Sequence, residues 1–213
     1  MLGRRSEQGF TMVELSVALM LTVLILSALF GVFYAFSQNA ADQSRQAALQ
    51  RDSREVMGEL VTWLRQSVGA APGEHPVESL TADRVVFYSD VDEREGPERV
   101  VVERTDCSGG YCQLTAAKYA AVADSGPAWE FAADPFAEEF LLARVHDDVP
   151  LFRGVTWVGD PKAKSYVSAC GGGQPRCRAP IVAITLRAEP TGTSEGGRLT
   201  FEIREEVTLR NAP

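Results

Sequence analysis

Apolar residues are concentrated in one uninterrupted stretch near the N-terminus. From Leu15 to Phe36, 22 consecutive residues carry no charged side chain. At about 1.5 Å per residue, a helix of this length reaches roughly 33 Å, enough to cross a hydrocarbon core about 30 Å thick. The pattern predicts a membrane-spanning helix. The basic pair Arg4 and Arg5 in front of it favours a cytoplasmic N-terminus and an exported remainder.

A cleavable secretory signal is the competing interpretation of this stretch. The apolar region of such signals usually runs about 7–15 residues and ends at a small-residue cleavage site. The run here is longer, and the carboxylate of Glu14 stands where that region would begin. An ordinary single-pass anchor remains a second alternative.

After Phe36 the helical pattern continues in polar form, without a proline until Pro72. Apolar residues recur at spacings of about three or four, which is typical of an amphipathic helix packed on one side: Leu49, Val56, Met57, Leu60, Val61, Leu64 and Val68. We predict one helix from about Thr11 to Val68, ended by Gly69 and the Pro72–Gly73 pair.

Beyond Pro76 the pattern changes to short β-branched and aromatic runs separated by turn residues, which predicts strands. The runs are 84–91, 99–105, 113–119, 140–146, 151–158, 181–188 and 198–209. The first three read as an antiparallel meander. The predicted fold class is therefore α+β, a long N-terminal helix whose amphipathic half packs on a mostly antiparallel β-sheet head.

Length and charge narrow the function classes. A chain of 213 residues accommodates one packed domain and an appendage. Its net charge of −8 argues against a surface built to neutralise phosphates, so we predict no direct nucleic acid binding.

The N-terminal segment GFTMVELSVALMLTVLILSALF, from Gly9 to Phe30, resembles the cleavage and methylation motif of type IV prepilins and type II secretion pseudopilins. The resemblance implies that a prepilin peptidase cuts after Gly9 and methylates the new amine of Phe10. It also implies a lollipop shape and a helix that anchors the subunit in the inner membrane and then enters a filament core. A carboxylate in lipid is costly without a partner, and the amine of Phe10 would neutralise Glu14 in a neighbouring or the same subunit.

The resemblance divides the chain into a leader (1–9), a transmembrane and filament-core helix (10–36), its amphipathic continuation (37–71) and a β-rich head (72–213). It implies three kinds of partner: other pilins or pseudopilins, the prepilin peptidase and the inner-membrane assembly platform. The head would be exported and then lie in a cell-surface or periplasmic filament.

Two subclasses fit the later strands. Runs such as EEFLLARVHDDVPLFRGVTWV and EEVTLRNAP resemble W-type minor pilins of type IV pili, which we favour. The J-type minor pseudopilin of type II secretion has the same plan. A membrane-anchored extracytoplasmic binding module outside any filament is a third hypothesis.

The four cysteines form two local pairs, Cys107 with Cys112 and Cys170 with Cys177, although three connectivities are open. We predict local disulfides, because an exported head lies in an oxidising compartment. A four-cysteine zinc site is the alternative, and the spacings do not match its usual short knuckles.

Carboxylates are concentrated in the loop that contains Asp90 and Asp92, which raises calcium binding as a hypothesis. Arg94 stands where a third alternating ligand would be, so we favour a solvated hairpin loop. No cofactor is otherwise predicted. We also predict no enzyme, because the two histidines, His75 and His146, accompany no recognisable catalytic motif, and we expect His146 to lie at the surface beside acids.

Overall fold

The computed structural model describes residues 11–91, 94–123, 125–158, 163–167, 179–190 and 200–210. One long helix, α1, runs over Met12–Arg65. The chain divides into two compact units, the first ending at Ser44 and the second beginning at Arg45. The helix passes through both, as its continuous pattern predicts.

In the second unit, α1 buries one stripe of side chains against the sheet. Leu60 and Leu64 are each 1% exposed. The stripe repeats at spacings of three and four, which places its members on one face: Leu49, Ser53, Val56, Met57, Leu60, Trp63 and Leu64. The predicted apolar positions from Leu49 to Leu64 are therefore confirmed, with Val61 partly buried at the margin. Val68 was predicted as part of the stripe, but it lies beyond the end of the helix and is half-buried. Ser53 and Trp63 complete the stripe.

The helix ends at Arg65, three residues earlier than predicted. The backbone then joins the sheet, because the amide of Val68 donates to the carbonyl of Tyr88 at 2.9 Å and Ser67 forms an isolated bridge with Ser89. Gly69 is required by the close approach that follows, since a Cβ there would lie 2.5 Å from the carbonyl oxygen of Glu74.

In the described residues, nine strands form one antiparallel sheet. They are β1 (Val77–Leu80), β2 (Arg84–Ser89), β3 (Glu98–Ser108), β4 (Tyr111–Tyr119), β5 (Ala137–His146), β6 (Phe152–Val158), β7 (Ala163–Val167), β8 (Ile181–Ala188) and β9 (Phe201–Thr208). The order is β1-β2-β3-β4-β5-β8-β6-β7, with β9 on the other side of β8. The predicted meander and the α+β class are confirmed.

Two groups of strands meet at β5 and β8. Strands β1 to β5 follow one another as hairpin neighbours, and β6 to β9 gather around β8. The two groups share a single residue pair in the ladder, Val145 with Ala188. Side chains from both groups nevertheless belong to one apolar core beneath α1, including the fully buried Phe87, Leu114, Phe152 and Ile184.

Candidate functional site

The N-terminal half of α1 is apolar on every side. Its most apolar window has a mean hydropathy of 2.5, and none of that window is buried within the chain. Large side chains such as Leu24, Phe30 and Phe36 are at least 60% exposed. By length and composition this helix can cross a membrane, and it fits the inner-membrane anchoring predicted from the sequence.

Hydroxyl groups within this apolar segment are satisfied inside the helix. Ser16, Thr22 and Ser27 each donate to the carbonyl oxygen four residues earlier, at 2.9, 2.7 and 2.7 Å. A polar group without a hydrogen bond is expensive in lipid. The three residues can therefore lie in a hydrocarbon environment without needing a partner from another helix.

Glu14 lies in the first turn of α1, and its carboxylate is held by Thr11. The Oε2 atom accepts from both the amide and the hydroxyl of Thr11 at 3.0 Å, and the amide of Glu14 donates back to that hydroxyl at 3.3 Å. This reciprocal arrangement is a capping box, and Thr-x-x-Glu is its sequence signature. Thr11 was missed as a functional residue although that signature was visible. Gly9 and Phe10 lie outside the described residues.

The first predicted disulfide is present. Cys107 and Cys112 are bonded, with a sequence separation of five and Cα atoms 4.0 Å apart. They lie at the ends of β3 and β4 around a turn in which Gly109 and Gly110 have positive φ angles of 60° and 85°. Cys170 and Cys177 lie outside the described residues.

The acidic loop is organised by Glu98. Its Oε2 accepts from the amide of Val91 at 2.9 Å, and Glu98 is only 1% exposed. Asp90 is exposed, whereas Asp92 lies outside the described residues. Within the part of the chain that the structure describes, no group of three His, Cys, Asp or Glu residues has metal-binding geometry.

His146 lies at the end of β5 beside acids, as predicted, here Asp148 and Glu189, but it is largely buried and not on the surface. Its side chain is 13% exposed, and its Nε2 atom lies 3.2 Å from Oε1 of Glu189, outside hydrogen-bond geometry. Oε2 of Glu189 accepts from the hydroxyl of Tyr111 at 2.7 Å and lies 3.5 Å from Arg144. Glu189 was missed because its partners are distant in sequence, and no local pattern marks it. His75 is also buried, and its Nδ1 accepts from the amide of Val77 at 3.2 Å.

Burial of Glu189 by itself raises the pKa of its carboxyl. The Tyr111 hydroxyl, His146 and Arg144 together outweigh that effect, so the pKa of Glu189 is lowered overall. Arg144 has a positive φ of 53°, and its guanidinium lies 4.1 Å from the ring centroid of Tyr111. This cluster joins the two groups of strands.

Residues 4–30 match the family described as the prokaryotic N-terminal methylation motif. Comparison with curated proteins and with solved structures finds no significant match. The motif, on a long apolar helix joined to an α+β head with an antiparallel sheet, places the chain in the superfamily of type IV pilins and pseudopilins. Members are structural proteins rather than enzymes, and the motif implies processing by a prepilin peptidase and use of the pilin assembly machinery.

Proposed function

We propose that the chain is a minor pilin, a structural subunit that enters or primes a type IV pilus after its leader is removed. The observation that carries the proposal is the methylation motif at the start of a helix whose apolar side chains are exposed on every side. A surface of this kind is unstable in water and must be covered by lipid or by other helices. A filament core supplies that cover once the subunit leaves the membrane.

Processing comes first in the proposed sequence of events. The peptidase cleaves after Gly9 and methylates the amine of Phe10, which places a charged amine four residues before Glu14. The carboxylate of Glu14 already accepts two hydrogen bonds at the helix start. A neighbour's amine adds the countercharge, which sets the axial position of the subunit in the filament.

Mass spectrometry of the mature protein tests processing. We expect an N-terminal methyl-Phe10 in cells that contain the prepilin peptidase and an uncut leader in cells that lack it. A mature chain that begins beyond Ala35, or an intact Met1 in both strains, would refute the proposal.

Analysis of filaments sheared from the cell surface tests whether the subunit enters a pilus. We expect the subunit in the pilus fraction at low abundance, and its deletion should reduce piliation. If piliation is normal and protein secretion fails instead, the chain is the J-type pseudopilin. If the processed protein stays monomeric in the membrane, the anchored binding module replaces both.

A further inference from the structure

A groove of about 590 Å³ runs between α1 and β5 in the second unit. Helix residues from Arg45 to Glu59 form one wall, and Glu139–Ala143 of β5 form the other. Glu189 and Pro190, which follow β8, also line it. Every residue that lines the groove belongs to the described part of the chain.

The groove borders a continuous segment of β5. Successive side chains of a strand point to opposite faces of the sheet. Five consecutive residues, Glu139 to Ala143, all line the same groove. The alternation is interrupted within this run, because β5 has a β-bulge between the Thr115↔Phe140 and Leu114↔Leu142 pairs. At about 3.3 Å per residue the bordering segment is roughly 13 Å long.

One edge of β5 has little strand pairing in the described residues. On its other side β5 pairs with β4 from Tyr111↔His146 to Lys118↔Ala137. On the groove side β5 shares with β8 only the Val145↔Ala188 pair and a 3.2 Å hydrogen bond from the amide of Glu189 to the carbonyl of Arg144. Unpaired backbone groups along an edge are a template for another strand.

The groove is strongly acidic. One guanidinium, that of Arg45, lines it together with five carboxylates: Asp52, Glu55, Glu59, Glu139 and Glu189. Three of the five are paired with cations: Asp52 with Arg51, Glu139 with Lys118 and Glu189 with Arg144. Glu55 and Glu59 have no ion pair or side-chain hydrogen bond within the described ranges. Burial raises the pKa of Glu59. The nearby carboxylate of Glu139 raises it further, Lys118 partly offsets this, and Glu55 adds a smaller increase. A cation in the groove would relieve this repulsion.

The acidic lining also disfavours a second copy of the chain as the occupant. The whole chain carries a net charge of −8, and its groove would face like charge. An occupant that adds a strand must be extended, and one that complements the charge must be basic. Phe140 is 60% exposed on this strand and offers an apolar contact between the charges.

We propose that this groove, between α1 and the edge of β5 that has little strand pairing in the described residues, binds an extended basic segment of a different subunit, which adds a strand to the sheet. Strand addition obtains affinity from backbone hydrogen bonds and specificity from side-chain contacts. The identity of the occupant as a filament subunit rests on the proposed function. The affinity of the groove for an extended basic segment does not depend on it.

Peptide binding to the full-length protein in detergent micelles tests the chemistry directly. The probe is a fluorescent seven-residue peptide of alternating lysine and valine. The comparison peptides alternate glutamate and valine, or carry N-methyl groups on alternate backbone amides of the lysine peptide. We expect binding of the lysine peptide alone. Equal binding of the N-methylated peptide would overturn strand addition, and binding of the glutamate peptide would overturn the charge argument.

A matched pair of variants locates the binding. Glu55→Gln with Glu59→Gln removes two charges from the groove, whereas Glu95→Gln with Glu205→Gln removes two exposed charges elsewhere. We expect the groove variant to bind about threefold to tenfold more weakly and the control to bind like the wild type. Equal weakening in both variants would show only general attraction to an acidic protein and would overturn the proposal.

Hydrogen exchange identifies the element that pairs. On addition of the lysine peptide, the backbone amides of Glu139–Ala143 should exchange more slowly. Protection confined to other strands would contradict the proposal. Sedimentation of the free protein gives a further check, because dimerisation abolished by the groove variant would replace the basic partner with a second copy.

The two proposals can fail separately. A protein that binds the peptide through β5 but is absent from filaments retains the groove assignment and loses the proposed function. A protein that enters filaments normally but does not bind the peptide retains the function and loses the groove assignment.

Discussion

The hydroxyl of Tyr111 donates a 2.7 Å hydrogen bond to Oε2 of Glu189, 78 residues further along the chain. Tyr111 begins β4, and Glu189 follows β8 directly. The bond therefore joins strands β1 to β5 to strands β6 to β9, next to Val145↔Ala188, the one residue pair that β5 and β8 share. Because Glu189 is 4% exposed, its charge depends on these partners for stabilisation.

Glu189 should make the stability of the head sensitive to acid. We expect Glu189→Gln to lower the free energy of unfolding at neutral pH by about 1–3 kcal/mol, since it removes a charged acceptor from a buried hydrogen bond. The pKa of Glu189 is lowered in the folded state. Its contribution is thus present above the unfolded pKa of about 4.3 and is lost as the pH falls through the folded pKa.

Thermal unfolding of wild type and Glu189→Gln from pH 7 to pH 3 measures this effect. The difference between them should shrink as the pH falls. Tyr111→Phe should also destabilise the protein, and the double variant should lose less than the sum of the two because the residues are coupled. Additive losses would contradict the coupling.

The ionised carboxylate of Glu59 should destabilise the folded protein, whereas that of Glu189 stabilises it. The pKa of Glu59 is raised by burial and by neighbouring carboxylates, so its ionised form opposes folding above the folded-state pKa. We expect Glu59→Gln to stabilise the protein at pH 7 by up to about 1 kcal/mol. The advantage should disappear as the pH falls below the unfolded pKa. Urea titrations at pH 7 and pH 4 measure it, with the exposed Glu95→Gln as the control. Destabilisation by Glu59→Gln at pH 7 would be inconsistent with an unpaired carboxylate.

The Cys107–Cys112 bond should contribute modestly. It spans a sequence separation of five, and closing so short a loop contributes about 2 kcal/mol in the chain-entropy picture. The adjoining ladder, which extends from Arg99↔Tyr119 to Thr105↔Gln113, already aligns the two strands. We expect Cys107→Ser with Cys112→Ser to fold and to lose about 1–2 kcal/mol. Calorimetry of oxidised wild type and the double variant measures the loss. Failure of the variant to fold would show that the bond organises more than this hairpin.

Elements marked by a local sequence pattern were predictable from the sequence, whereas short elements without one were not. The amphipathic part of the helix was predictable because its period repeats over several turns. The Ile181–Ala188 strand was predicted with its observed bounds because its first six residues are all apolar or β-branched. The short strands β1 and β7 were missed. Val77–Leu80 is only four residues long. Ala163–Val167 is five residues long and exposes both a charged and an aromatic side chain, so neither strand shows a clear alternation of apolar and polar residues.

The same distinction applies to the sites. The processing motif and the local cysteine pairs lie in continuous sequence, where spacing is informative. The cluster around Glu189 and the acidic groove are assembled by strand order, since β8 lies next to β5 although β6 and β7 stand between them in the sequence. No local sequence pattern predicts this contact between β5 and β8.

The two halves of α1 should respond differently to the same substitution. Leu60→Ala removes a side chain that is 1% exposed in the core and should cost the head about 2–5 kcal/mol. Leu29→Ala alters a side chain that is 60% exposed on the apolar half and should leave head unfolding unchanged. Unfolding monitored by near-ultraviolet circular dichroism in micelles compares the two. An equal loss in both variants would contradict the separation of the apolar half from the folded core.

Substitutions at Glu14 can separate helix capping from filament assembly. Glu14→Ala removes both the charge and the acceptor that binds Thr11, whereas Glu14→Gln keeps an acceptor oxygen and removes only the charge. Under the proposed function, both variants should be cleaved and both should enter filaments poorly, because the amine of Phe10 loses its countercharge. Thr11→Ala weakens the cap but keeps the charge, so it should assemble.

Mass spectrometry of the mature N-terminus and immunoblots of sheared filaments measure these two steps on the same cells. Normal filament entry by Glu14→Gln would show that the charge is dispensable and that Glu14 acts only at the start of its own helix. Failure of Thr11→Ala together with the two Glu14 variants would instead show that assembly also needs the capping box, since Thr11→Ala weakens the cap and keeps the charge.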